Sequence, residues 1–303
     1  MTEGPMIFDR ALIHRRQRRA AALGPATFLL DRVADDLAER LQAVLRQFDV
    51  AVDLGTPGKA VRAALVGLRS IGTIVATSAI PNLAICANQM ERLVAADEEA
   101  LPFRDASLDL VVSALALQFV NDLPGALVQI RRALKPDGLF LAALIGGETL
   151  TELRQAFAAA ESDIEGGVSP HVAPFADLRD LGALLQRAGF ALPVTDTDRL
   201  VARYDTVFRL MHDLRCMGAT NALLDRRRTP LRRATLLRMA EIYAQRFADA
   251  DGRVRATFEI VWLSGWAPHP RQQQPLKPGS ASTRLADALG THEIPAGEKA
   301  GRK

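Results

Sequence analysis

Between residues 50 and 145, short apolar runs and helix-spaced segments take turns, and that alternation limits the fold more than any other feature of the chain. Runs of strand length fall at 50–54, 72–77, 92–96, 108–114 and 138–145, with helical spacing at 58–69, 81–90 and 123–134. Strands joined through crossover helices pair in parallel, and a parallel sheet must be covered on both faces. The spacing therefore predicts an α/β fold on a mostly parallel sheet. In KPDG, at 135–138, Pro136 is expected to stop the preceding helix and Gly138 to supply an unusual backbone angle.

The flanks extend this plan. Phe28, Leu29, Val33, Leu37, Leu41, Val44 and Leu45 recur at helical spacing, so residues 1–48 read as an N-terminal helical extension. After Gly146 and Gly147 an amphipathic helix spans 175–190, ended by Gly189 as a C-cap. A strand at 192–204, an arginine-rich helical block at 206–248 and a strand at 253–266 follow. Two late strands around a helical block suggest a sheet completed by an antiparallel last strand, with the block as a lid on a domain of residues 49–266. Residues 267–303, rich in Pro, Gln, Gly and Ser, are expected to form a largely disordered tail.

Composition excludes some classes of function. A formal charge of +3 with 24% charged residues is too balanced to argue for nucleic acid. The longest apolar run, at 139–145, is far short of a membrane span. Cys86 and Cys216 stand in unlike contexts and give neither a disulfide framework nor a metal-ligand pair. The first residues combine arginines with Glu3 and Asp9 and lack an apolar signal core, so they read as mature protein. Arg15, Arg16, Arg18 and Arg19 read as a solvated helix face, with a phosphate or acidic partner as the alternative. Arg226, Arg227, Arg228, Arg232 and Arg233 in the lid leave the same choice open.

In an open parallel sheet, ligands bind beyond the carboxyl ends of the strands. Four loops there are candidates. VAVDLGTPGKAV, at 50–61, ends its strand on Asp53 and Gly55 and then offers Thr56, Pro57, Gly58 and Lys59, which only partly follows a glycine-spaced cofactor loop. Where nucleoside binders place an acid for the ribose, the second strand ends on Ser78. Asp97 and Glu98 are suited to receive an exocyclic amine or to stay solvated as an acidic turn. Gln118 and Phe119 precede a helix capped by Asn121 or Asp122.

The order of these loops resembles the class I S-adenosylmethionine-dependent methyltransferases, most specifically in LPFRDASLDLVVSALALQFVNDLPGALVQIRRALKPDGLFL. IFDRALIHRRQRRAA, IGGETLTELRQAF, EGGVSPHVAPFADLRDLGALLQRAGF, DLRCMGATNALL and GWAPHPRQQQPLKPGSA resemble one family within it, the mitochondrial complex I assembly factor 5 and its alphaproteobacterial relatives. The likeness extends over roughly residues 7–290. It is weaker to the malonyl-carrier-protein methyltransferases of biotin synthesis.

The resemblance implies a methyltransferase-type Rossmann-like sheet and S-adenosylmethionine as cofactor. It implies a protein that modifies an arginine of a respiratory complex I subunit, or chaperones that subunit, as a hydroxylase despite its fold. A bacterial cytoplasmic location follows, with peripheral inner-membrane association left open. Aligned from Asp53, the family's later loop glycines become Pro57 and Lys59, and the ribose acid becomes Ser78. Losing one charge-assisted bond, about 1.5–3 kcal/mol, predicts cofactor binding weakened roughly ten- to a hundredfold. Either Lys59 pairs with the cofactor's carboxylate, or the site has lost its ligand. The family's His-Trp pair is Gln118-Phe119 here.

For catalysis the candidate is His171 in SPHVAPF, where family members also carry histidine; a loop histidine bonded to backbone is the plainer reading. His212 and Asp213 read as a polar helix face, and the five histidines show no metal-triad spacing, so no metal is expected. Gly146, Gly147, Glu148 and Thr149 either line a substrate mouth or start a helix with Thr149 as its cap. Two further functions stay open: O- or N-methyl transfer to a small molecule or carrier protein, and non-catalytic chaperoning through a degenerate site.

Overall fold

The computed structural model describes residues 6–80, 91–273, 279–280 and 282–292. Seven strands form one sheet in the order β3-β2-β1-β4-β5-β7-β6. They are β1 Phe48–Leu54, β2 Ile71–Ser78, β3 Glu91–Ala95, β4 Leu108–Ala114, β5 Leu134–Ile145, β6 Ala191–Tyr204 and β7 Val254–Trp266. The first five pair in parallel. β7 slots between β5 and β6 and runs antiparallel to both, so the late strands close the sheet as the sequence pattern requires.

Successive residues of the inner strands face opposite layers. Leu139, Leu141 and Ala143 of β5 join one core with Leu110 and Val112, while Phe140, Ala142 and Leu144 join a second with Val111. The first core is covered by α2 (Phe28–Gln42), α3 (Ala60–Val66), α5 (Thr151–Glu165), α7 (Val207–Cys216) and α8 (Arg233–Phe247). The second is covered by α4 (Leu123–Ala133) and α6 (Leu178–Arg187). The near-continuous apolar strands are those of a sheet buried on both sides.

Local chemistry sets the helix ends. Asp122 caps α4 by accepting from Gly125 N at 2.8 Å, Asp177 caps α6, and Thr206 caps α7. Gly189 takes φ +84° just beyond α6.

Three expectations need correction. The left-handed residue of KPDG is Asp137, at φ +67°, and not Gly138. Gly138 is needed for space, because a Cβ there would lie 2.9 Å from the Lys135 carbonyl oxygen and 3.1 Å from that of Asp109. The block at 206–248 is two helices with an irregular stretch between them, which holds Gly218 at φ +72°. Thr149 does not cap α5: Leu150 stands at the cap with φ +54°, and the Thr149 hydroxyl bonds the backbone of Glu259 in β7. The helix expected at 81–90 lies outside the described residues.

The N-terminal extension is two helices, α1 (Arg10–Leu23) and α2, and both belong to the main compact unit, residues 1–268. Residues 269–303 form a second unit, whose described part contains one helix, α9 (Leu285–Leu289), with no buried side chain. Among the described residues, no helix is long and apolar enough to cross a membrane.

Candidate functional site

A cavity of about 320 Å³ opens beyond the carboxyl ends of β1, β2, β4 and β5. That volume lies within the range of small-molecule sites. The turn after β1 forms one wall, through Gly55, Thr56, Pro57 and Gly58. Gly55 and Gly58 take φ +68° and +79°, which residues with a Cβ rarely adopt. The turn is pinned on both sides: Gly55 N donates to Thr77 Oγ1 at 3.1 Å, and Ala114 N donates to Thr56 Oγ1 at 3.0 Å. Lys59 is exposed at the start of α3 and is not a lining residue, so its stem leaves the cavity open. Pro57 is part of the wall.

The second and fourth loops contribute as well. Ser78 and Ile80 line the cavity, and Ser78 Oγ accepts from Ile80 N at 3.0 Å. Gln118 Nε2 donates to the Leu115 carbonyl at 2.8 Å, which fixes which end of the amide is oxygen. Its Oε1 is buried and has no hydrogen-bond partner among the described residues. Phe119 also lines the cavity and packs edge-on against Phe8, with ring centroids 5.7 Å apart.

At the third loop the acids are already engaged. Arg10 of α1 reaches Asp97 Oδ1 at 2.7 Å and makes a second ion pair with Glu98. Burial pulls the guanidinium pKa down, but Glu98 and Asp97 more than offset this and it ends above its ordinary value. Glu98 lines the cavity; Asp97 does not. Asp53, in β1, is buried at 1% exposure and is not a lining residue.

His171 sits apart from the cavity. Its Nε2 lies 2.8 Å from Glu161 Oε1 and its ring stacks on Phe157 at 3.9 Å. Burial pushes the Glu161 carboxyl pKa up, but bonds from His171 and Ser169 outweigh it and hold the acid below its usual range. Among the described residues, no three His, Cys, Asp or Glu side chains gather as a metal site would.

The cavity's other wall comes from α1, which was not among the four candidate loops. Arg10, Ile13, His14, Gln17 and Ala20, at i, i+3, i+4, i+7 and i+10 on α1, all line it. Arg15, Arg18 and Arg19 are exposed on the opposite side of that helix, whereas Arg16, expected on the same solvated face, is half-buried and donates to the Asn221 carbonyl. Burial and the neighbouring Arg10 push the His14 pKa below its ordinary value. From α7 and the residue after it, Leu214, Cys216 and Met217 also line the cavity, and from the segment after β5, Thr149 does. The i, i+3, i+4, i+7 spacing of α1 was the signal available in the sequence.

Comparison with known proteins gives a consistent outcome. A methyltransferase-domain family matches residues 52–142. The human mitochondrial arginine-hydroxylase NDUFAF5 is 40% identical over 302 residues, 97% of this chain and 86% of the human one. The Danio rerio protein of the same name is 38% identical, covering 94% of this chain and 90% of its own. A malonyl-acyl-carrier-protein O-methyltransferase of Laribacter hongkongensis is 43% identical over 62% of this chain and 60% of its own. Among solved structures, a Bacillus halodurans protein described as a methyltransferase superposes with a TM-score of 0.53 at 19% identity, over 77% of this chain and 99% of that one, and so shares the fold. The expected bacterial cytoplasmic location is overturned, because the relatives that span nearly the whole chain are named as mitochondrial.

Proposed function

The chain belongs to the family of the arginine-hydroxylases named NDUFAF5, and from that premise we propose that it modifies an arginine side chain of a respiratory complex I subunit from a methyltransferase-type fold. The observation that carries this is the cavity itself. It lies where ligands bind in an open α/β sheet, bounded by the left-handed glycines of the first loop and by a helix of the extension that full-length relatives also span.

The lining suits S-adenosylmethionine as the cofactor. Gly58 leaves its surroundings open, with nothing nearer to an added Cβ than Leu30 Cδ2 at 3.9 Å, so a ligand can approach the loop backbone closely. Ser78 would bond a ribose hydroxyl, and Ile80 offers an apolar surface to the base. Gln118 Oε1 supplies an acceptor for a donor group on the cofactor or substrate. The serine in place of an acid makes binding weaker than in relatives that keep a carboxylate there. When bound, S-adenosylmethionine supplies an electrophilic methyl group for the alternative reading. That reading, O- or N-methyl transfer, is favoured by the likeness to the malonyl-acyl-carrier-protein O-methyltransferases over 62% of the chain.

The two chemistries differ in their products. Hydroxylation replaces a C–H by a C–OH and consumes an oxidant, whereas methylation adds one methylene. Incubating the protein with purified complex I subunits, S-adenosylmethionine and a mitochondrial extract, then weighing the tryptic peptides, separates them. A gain of one oxygen on an arginine peptide supports the hydroxylase reading, and a gain of one methylene overturns it. No gain, together with retained binding of the subunit, points to a chaperone.

A further inference from the structure

The third loop and the first loop meet over Gly55. A Cβ on Gly55 would fall 2.7 Å from Glu98 Cγ and 2.9 Å from Cδ, so the acid's side chain fills the space that the glycine opens. Glu98 is held there by Arg10, and the two side chains are only 10% and 14% exposed. A carboxylate and a ligand cannot share that close approach to the loop backbone.

Two features argue that this contact is more than a fastening for α1. The N-terminal segment is tied down without it: Ile7 N and Phe8 N both donate to Asn121 Oδ1 at 2.8 Å. Asp9 N donates to the Ala222 carbonyl at 2.9 Å, and Asp9 pairs with Arg226 at 3.2 Å. In addition, the Arg10 guanidinium is incompletely satisfied, because its Nε is buried without a partner among the described residues. Arg10 also has a second acid to keep. Asp97 lies 2.7 Å away, 37% exposed and outside the cavity lining. Glu98 can therefore swing aside while the guanidinium stays paired.

We propose that Arg10 is a positioning residue of the cofactor cleft, which holds Glu98 over Gly55 and so closes the approach that S-adenosylmethionine needs until the ligand displaces that carboxylate. The inference rests on the cofactor reading given above. Binding then leaves Arg10 paired with Asp97 and donating from Nη1 to the Phe119 carbonyl. The affinity is lowered by the small fraction of molecules in which Glu98 is already turned away, and removing the clasp restores it.

Calorimetric titration of the full-length protein with S-adenosylmethionine tests this, with thermal denaturation of each variant as the check on folding. Glu98→Ala and Arg10→Met are expected to lower Kd by roughly ten- to a hundredfold, as for a competent fraction between about one in ten and one in a hundred when the lost bond is worth about 1.5–3 kcal/mol. Arg10→Lys keeps the cation and should bind like the wild type. An unchanged or higher Kd in Glu98→Ala, with the wild type binding measurably, overturns the clasp and leaves the cofactor reading standing. Should Arg10→Met fail to fold, Glu98→Ala decides alone. No heat from any of the proteins overturns the cofactor reading, and the clasp with it.

Discussion

Replacing Gly55 by alanine perturbs the loop in two separable ways. The left-handed backbone, at φ +68°, costs an alanine roughly 1–2 kcal/mol. The new methyl also drives Glu98 out of its place, since Cγ and Cδ lie 2.7 and 2.9 Å from the added Cβ. Losing a charge-assisted bond between nearly buried partners costs about 1.5–3 kcal/mol more. Together Gly55→Ala should destabilise the protein by about 2.5–5 kcal/mol. In a Glu98→Ala background the second cost is absent, because the displaced atoms are gone. Gly55→Ala then costs about 1–2 kcal/mol, and the coupling in a double-mutant cycle is about 1.5–3 kcal/mol. Urea denaturation of the four proteins at one pH measures it, provided the slopes agree. Additivity within about 0.5 kcal/mol would refute the contact between the two loops.

Three further outcomes follow from other parts of the molecule. The Glu161 carboxyl is held below its usual range, so its contribution is fully present above the unfolded value near 4.5 and is lost as pH falls through the folded value; the stability gap between wild type and Glu161→Gln should narrow over that acid window, and a gap independent of pH counts against it. Gly265→Ala in β7 would set a methyl 2.9 Å from Phe190 Cβ, an overpacking worth about 1–3 kcal/mol by chemical denaturation, and a neutral result would mean that the strand gives way easily. Asp122→Ala removes the α4 cap at 2.8 Å and should cost about 0.5–2 kcal/mol, with Asp122→Asn recovering most of it; equal losses in both variants would speak against a capping role.

The sheet was legible from residues 50–145 because period and strand length are local properties, and each parallel strand needs its own crossover. The α4 cap was legible for the same reason, as either Asn121 or Asp122, since a cap bonds an amide two or three residues away, and the structure uses Asp122. Gly55 and Gly58 could be expected to turn the chain, and both adopt left-handed angles. KPDG was misread at one residue, because crowding by Lys135 and Asp109, the latter on a neighbouring strand, decides where glycine is needed.

What the amino-acid order determined by itself is therefore the mostly parallel sheet, its antiparallel closure and the loops that end its strands. What only the tertiary structure decided is the cavity's far wall and the state of its acids. α1 lies some forty residues before the first loop, and Arg10 meets Asp97 and Glu98 across more than eighty residues of chain. No pattern of neighbouring residues encodes such a pairing. It arises because the folded sheet brings three loop ends to one edge, where a charge from a distant helix is held at low exposure and finds its counterions.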